Sequence, residues 1–162
     1  MPQVVIFMGS KSDLDKLADG IAVFREFGVD HEVHVCSAHR SPRYLTETLK
    51  RLEGDGLQVV IAAAGGAAHL AGVCASHTLL PVVGIPVDNP PLNGLDSLLS
   101  TVQMPAGIPV ATVSIGKAGA KNAALLAVSI LALKVGSLRE KLRKYREAMA
   151  ESVEKQDREL NQ

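Results

Sequence analysis

The stretch that most constrains this chain is Val59-Val60-Ile61-Ala62-Ala63-Ala64-Gly65-Gly66-Ala67-Ala68-His69-Leu70-Ala71-Gly72. Its apolar, β-branched opening predicts a buried strand. Two glycines follow, where no Cβ stands between backbone and a ligand. The alanines after them favour helix. The stretch therefore reads as a strand, a tight turn and a helix N-terminus that carries a histidine. Parallel sheets bind ligands at the carboxyl ends of their strands. Two earlier loops end strands in the same manner, Met8-Gly9-Ser10-Lys11-Ser12-Asp13 and Cys36-Ser37-Ala38-His39-Arg40. The three loops are expected to meet in one site.

The rest of the chain fits that frame. Val4-Val5-Ile6-Phe7-Met8 predicts a first strand, followed by a helix to about Phe27 with Leu14, Leu17, Ile21 and Phe24 on one face. Gly28 is placed to end it. A second strand is expected over 32–36. Ser41 and Pro42 then offer an N-cap and a first-turn proline. The helix they open runs to about Leu52, with Tyr44, Leu45, Leu49 and Leu52 inward. A fourth strand is expected over 81–86, a short helix over 96–103, a fifth strand over 109–113 and a helix over 120–135 after a turn at 116–119. Strands alternating with helices predict an α/β fold with a parallel sheet and helices on both faces. The helix near 120–135 is apolar nearly all round, which predicts burial on every side, one route being a second subunit. Beyond Gly136 the chain becomes charged, yet Leu138, Leu142, Tyr145, Met149 and Val153 keep a stripe at helical spacing. That stripe fits packing on its own domain or on a neighbouring subunit.

Composition excludes several functions. The chain has 162 residues, enough for one domain with a sizeable core. Its 17 basic and 17 acidic residues cancel, and aromatics make up 3%. There is no electrostatic footprint and no stacking platform for nucleic acid. No apolar run is long enough to span a membrane. The chain opens directly on a strand, so no secretory leader is expected. The two cysteines, Cys36 and Cys74, lack metal-ligand spacing and read as buried, reduced thiols. A cytoplasmic protein is expected.

The loops carry the chemistry. Gly9-Ser10-Lys11-Ser12-Asp13 lacks the further glycines of a dinucleotide fingerprint, and the Gly116-Lys117 segment fails the P-loop pattern. What remains after strand one is a helix N-terminus with two serine hydroxyls, suited to a phosphate monoester. Asp13 beside it can accept hydrogen bonds from sugar hydroxyls. The alternative is that Ser12 or Asp13 only caps the helix. In Ser37-Ala38-His39-Arg40, arginine offers a planar fork for an anion. Histidine can serve as acid and then as base. The alternative is a surface pair before a helix cap. His69 equally could bond within its own helix turn. His31, His34 and His77 read as residues without a role.

Taken together, Gly9-Ser10-Lys11-Ser12-Asp13, Ser37-Ala38-His39-Arg40, Ala64-Gly65-Gly66-Ala67-Ala68-His69-Leu70 and Asp96-Ser97-Leu98-Leu99-Ser100-Thr101-Val102-Gln103-Met104-Pro105 resemble the PurE family of purine biosynthesis. The likeness runs from about residue 4 to about residue 133 and includes Ala118-Gly119-Ala120-Lys121-Asn122-Ala123. It implies a three-layer α/β/α sandwich with a central parallel sheet of the flavodoxin or Rossmann kind. The core would cover about 3–135, with a C-terminal helical extension over about 137–159, all within one domain spanning 1–162. It further implies a homo-octamer with no metal and no organic cofactor. Ser10, Ser12, Ser37 and Arg40 would hold a ribotide phosphate, and Asp13 the ribose. Gly65, Ala67, His69 and Leu70 would line the aminoimidazole and carboxylate pocket. His39 would carry the proton.

The activity so implied is an isomerisation. The carboxylate of N5-carboxyaminoimidazole ribonucleotide moves to C4, through CO2 held in the site. Two departures stand out: Ala71 replaces the family's usual proline, and the loop Val87-Asp88-Asn89-Pro90-Pro91 is atypical. Neither removes a reacting group. A sister subclass carboxylates aminoimidazole ribonucleotide directly with CO2; the run Gly66-Ala67-Ala68-His69-Leu70 resembles the mutase subclass instead. A non-catalytic ribotide-binding domain is the alternative from another class, and His39 is what separates it from an enzyme.

Overall fold

The computed structural model describes residues 1–161, so position 162 of the expected domain lies outside the described residues. Five parallel strands, β1 (Val4–Met8), β2 (His31–Val35), β3 (Val59–Ala64), β4 (Val82–Pro86) and β5 (Ala111–Thr112), form one sheet in the order β2-β1-β3-β4-β5. This is the flavodoxin-like arrangement, whose reversal point lies between β1 and β3. The register puts Met8 beside Val35 on one side and Ala63 on the other, so three strand ends arrive level at that point.

Alternation along the strands sends side chains to two separate cores. Val4, Ile6 and Met8 face α1 (Leu14–Phe27) and α5 (Gly116–Leu131). Val5 and Phe7 face α2 (Pro42–Gly54) and α3 (Leu70–His77). The short α4 (Leu95–Val102) lies on the second face, its Thr101 methyl pressed against Gly84 of β4. A strand buried on both faces must be apolar throughout, and β1, β3 and β4 are. Three layers result, as expected. Gly28 ends α1 in the left-handed conformation, at φ 70°.

Several expectations need correction. Leu14, on the first turn of α1, is exposed, because that turn borders an open cleft rather than the sheet. Tyr44 is also exposed; the buried stripe of α2 is Leu45, Thr48, Leu49 and Leu52, and Tyr44 lies about a quarter of a turn off its centre. β2 closes at Val35, before Cys36. β5 shrinks to two residues at the sheet edge, since Pro109 has no N–H to lend a ladder. The glycines taken for a turn at 116–119 form the first turn of α5, which ends at Leu131. Gly119 is required there, for a Cβ would fall 1.6 Å from the Ser114 carbonyl oxygen. Within one chain α5 is buried on one side only, by Ala120, Ala123, Ala124, Ala127, Val128 and Leu131, while Leu125, Leu126 and Ile130 are part-covered.

The stripe of α6 (Gly136–Leu160) packs on its own domain in its first half. Leu138 is buried, Leu142 and Tyr145 pack against the α1/α5 core, and Lys141 Nζ donates to the Phe27 carbonyl at 2.7 Å. Met149 and Val153 further along are exposed. Among the described residues no helix is long and apolar enough to cross a membrane.

Candidate active site

The carboxyl ends of β1, β2 and β3 surround a cleft of about 260 Å³. Every residue singled out from the sequence lines it: Ser10, Ser12, Asp13, Ser37, His39, Arg40, Gly65, Ala67, His69 and Leu70. Gly9, Ala38, Ala64 and Asn89 complete the wall.

After β1 the chain makes a single 3-10 turn, Lys11–Asp13, before α1. Ser10 Oγ accepts from the Ser12 N–H at 3.3 Å and from the Ser12 hydroxyl at 2.9 Å. Ser10, then, is the residue that caps this turn. Asp13 stands at the N-cap position of α1 with no side-chain cap bond, although it is only 5% exposed. Burial pushes its carboxyl above the usual carboxylate range, opposed by the Lys16 charge and by the Ser10 backbone. The capping alternative fails for Asp13, whose buried carboxyl lines the cleft instead.

After β2 the loop is tied internally. The Ser37 N–H donates to Ser41 Oγ at 3.0 Å, so Ser41 braces the loop as well as opening α2. Ser37 Oγ accepts from the Arg40 N–H at 3.1 Å, and the Arg40 guanidinium donates to the Gly9 carbonyl at 3.0 Å. Arg40 therefore bridges the loops after β2 and β1. Arg40 lines the cleft together with Ser10, Ser12 and Ser37, a set of donors of the kind that suits a phosphate.

After β3, Gly66 takes a positive φ of 63°, and the turn is anchored where the Ala68 N–H donates to Ser100 Oγ of α4 at 2.9 Å. Gly65 leaves room for a side chain: a Cβ there would fall 2.2 Å from Asn89 Nδ2 and would displace that amide. His69 occupies the N-cap position of α3, yet its ring makes no cap bond. Instead His69 Nδ1 lies 2.7 Å from His39 Nε2, the rings meeting edge to face at 86°. At that distance one nitrogen donates and the other accepts, so the pair shares one proton. Neither histidine follows its local alternative, since the partner of each comes from another strand.

Sequence reasoning gave no role to Asn89, Lys16 or Ser100. Lys16 Nζ donates to the Asp88 carbonyl at 2.7 Å and to Asn89 Oδ1 at 3.0 Å, and pairs with the Asp88 carboxylate, holding that carboxyl below its usual range. The available signal was position: the turn after β4 ends at the same sheet edge as the other loops. The cysteines behave as expected. Both are buried, and burial pushes the Cys74 thiol up to about 12, so no thiolate nucleophile is at hand. His34 bonds Glu32 at 2.7 Å, away from the cleft.

A family model described as AIR carboxylase matches residues 3–152. The N5-carboxyaminoimidazole ribonucleotide mutase of Saccharolobus solfataricus is 52% identical over 153 residues, covering 94% of this chain and 96% of that protein. The enzyme of the same name from Pyrococcus abyssi is 56% identical over 92% of this chain and 84% of its own length. The crystal structure of Treponema denticola PurE superposes with a TM-score of 0.90 at 28% identity, over the full length of both chains.

Proposed function

The chain belongs to the AIR carboxylase family, and from that premise we propose that it is an isomerase, an N5-carboxyaminoimidazole ribonucleotide mutase of purine biosynthesis. The observation that carries the chemistry is the His39–His69 contact of 2.7 Å, in the same cleft as the Ser10, Ser12, Ser37 and Arg40 donors. The serines and Arg40 take the phosphate, Asp13 the ribose hydroxyls, and the Gly65–Leu70 segment the heterocycle with its carboxylate.

His39 acts first as the acid, its ring held by the contact with His69. It gives a proton to the carbamate nitrogen. The N–CO2 bond then breaks, releasing CO2 and leaving a neutral 5-aminoimidazole. The ring is electron-rich at C4, and C4 attacks the same CO2. His39 takes the C4 proton and returns to its starting state, so one histidine serves as acid and then base with no net proton consumed. The small residues Ala38, Ala64, Gly65 and Ala67 in the wall support a reading in which CO2 is retained between the steps. The carboxylate is only moved, which is why the chemistry needs no ATP and no biotin.

A homo-octamer in the cytoplasm is the expected setting. Association of copies accords with the apolar side chains left open on one chain: Leu95, Leu99 and Val102 on α4, and Met149 and Val153 on α6. The test of the proton carrier is His39→Asn, which keeps a planar polar group but cannot shuttle a proton. Ribotide binding is expected to survive while turnover falls by about 10²–10⁴-fold. Near-normal turnover would refute the assignment and favour a binding domain.

A further inference from the structure

Asn89 is the one polar side chain of the cleft that neither the motifs nor the mechanism uses. Its amide has a fixed orientation. Lys16 Nζ lies 3.0 Å from one end of it, and an ammonium group can only donate, so that end is the carbonyl oxygen. The other end is therefore the NH2 group, and it faces Gly65 closely enough that no Cβ fits between. Among the described residues this NH2 donates to no protein acceptor. Lys16 is itself anchored by the Asp88 carbonyl and carboxylate, so the orienting charge cannot swing away. The result is a preset N–H donor, polarised by a neighbouring ammonium, on a residue that lines the cleft beside Gly65.

We infer that Asn89 is a further substrate-binding residue, donating through Nδ2 to the carboxylate of the substrate, and that Lys16 is the positioning residue that keeps it a donor. The Gly65 side is the part of the cleft assigned above to the heterocycle and its carboxylate. An N–H there discriminates for a group that accepts, and the carboxylate is the acceptor that the reaction relocates. This rests on the mutase reading given above.

The test measures binding of two ribotides by calorimetry: 5-aminoimidazole ribonucleotide and its 4-carboxy derivative. The selectivity ratio between them is the readout, since damage to the loop in general would weaken both alike. Asn89→Ala is expected to lose about ten- to a hundredfold in affinity for the carboxylated ligand, as for one hydrogen bond to a charged group, with the other ligand within about twofold. Lys16→Met should shift the ratio the same way by less, and adding it to Asn89→Ala should cost nothing more. Asn89→Asp, of the same shape, should reject the carboxylated ligand further, and it carries the test should the smaller variant not fold. An unchanged ratio in Asn89→Ala and Asn89→Asp overturns the proposal. An additive double variant overturns the positioning role of Lys16. Failure of the wild type to bind either ribotide is a separate outcome that removes the mutase reading itself.

Discussion

Arg40→Ala isolates the phosphate cradle. Arg40 spends part of its guanidinium internally, on the Gly9 carbonyl at 3.0 Å and on Ser37 Oγ at 3.4 Å. Those bonds set its plane, and the remaining N–H groups are left for the ligand. A net hydrogen bond to a charged partner contributes about 1.5–3 kcal/mol. Arg40 is exposed, so screening by water and salt holds the total near that of a single such bond. The loss on truncation is then about 1.5–3 kcal/mol, or about 10- to 150-fold in Kd. Arg40→Lys keeps the charge and loses the fork, and should fall between. Calorimetry with the ribotide and with the corresponding riboside, which lacks the phosphate, gives the answer. Wild type should prefer the ribotide, and Arg40→Ala should erase most of that preference while leaving riboside affinity alone. An unchanged ribotide Kd, or an equal fall for both ligands, would refute a phosphate clamp at Arg40.

The remaining predictions concern burial and close approach. Because burial raises the Asp13 carboxyl, the folded chain holds its proton more tightly than the unfolded chain. The stability this gives is present below the ordinary carboxylate range and is lost as pH rises through the raised value. At pH 7 Asp13→Asn should therefore match or exceed wild type in Tm, with the advantage fading on acidification, while ribotide affinity drops; a lower Tm at pH 7 would count against it. Gly20→Ala should invert the usual helix preference for alanine, because its Cβ would fall 2.5 Å from the Ala120 carbonyl oxygen where α1 crosses α5. A loss of about 1–3 kcal/mol is expected, read as a Tm fall of about 2–4 °C per kcal/mol; a raised Tm would refute the contact. Ser100→Ala leaves the Ala68 N–H without its acceptor and should raise KM with little change in far-UV circular dichroism.

Much of this molecule was legible in its sequence because β1, β3 and β4 are apolar and the loops after β1 and β2 carry polar side chains. The strand-end loops place polar side chains where only the sheet's carboxyl edge could gather them, and all ten expected residues line the cleft. What local pattern could not supply was pairing across the chain. His39 and His69 are 30 residues apart, and their contact depends on β1 lying between β2 and β3. Lys16 and Asn89 are 73 apart, and nothing in either segment announces the other. Helix edges misled for a simpler reason. Glycines at 116 and 119 look like turn residues, yet they serve close packing against Asp88 and the Ser114 carbonyl within the first turn of α5. Tyr44 looked inward by composition, but the helical angle puts it beside the buried stripe rather than on it.

The central claim is that the carboxylate is relocated rather than newly fixed. The direct measurement follows formation of 4-carboxy-5-aminoimidazole ribonucleotide by purified protein under matched low CO2. One reaction is given N5-carboxyaminoimidazole ribonucleotide, the other aminoimidazole ribonucleotide with bicarbonate. Rapid product in the first alone is the predicted result. Rapid product in the second alone would contradict it and identify a direct carboxylase, whereas ribotide binding without product in either would mean that the cleft binds and does not catalyse.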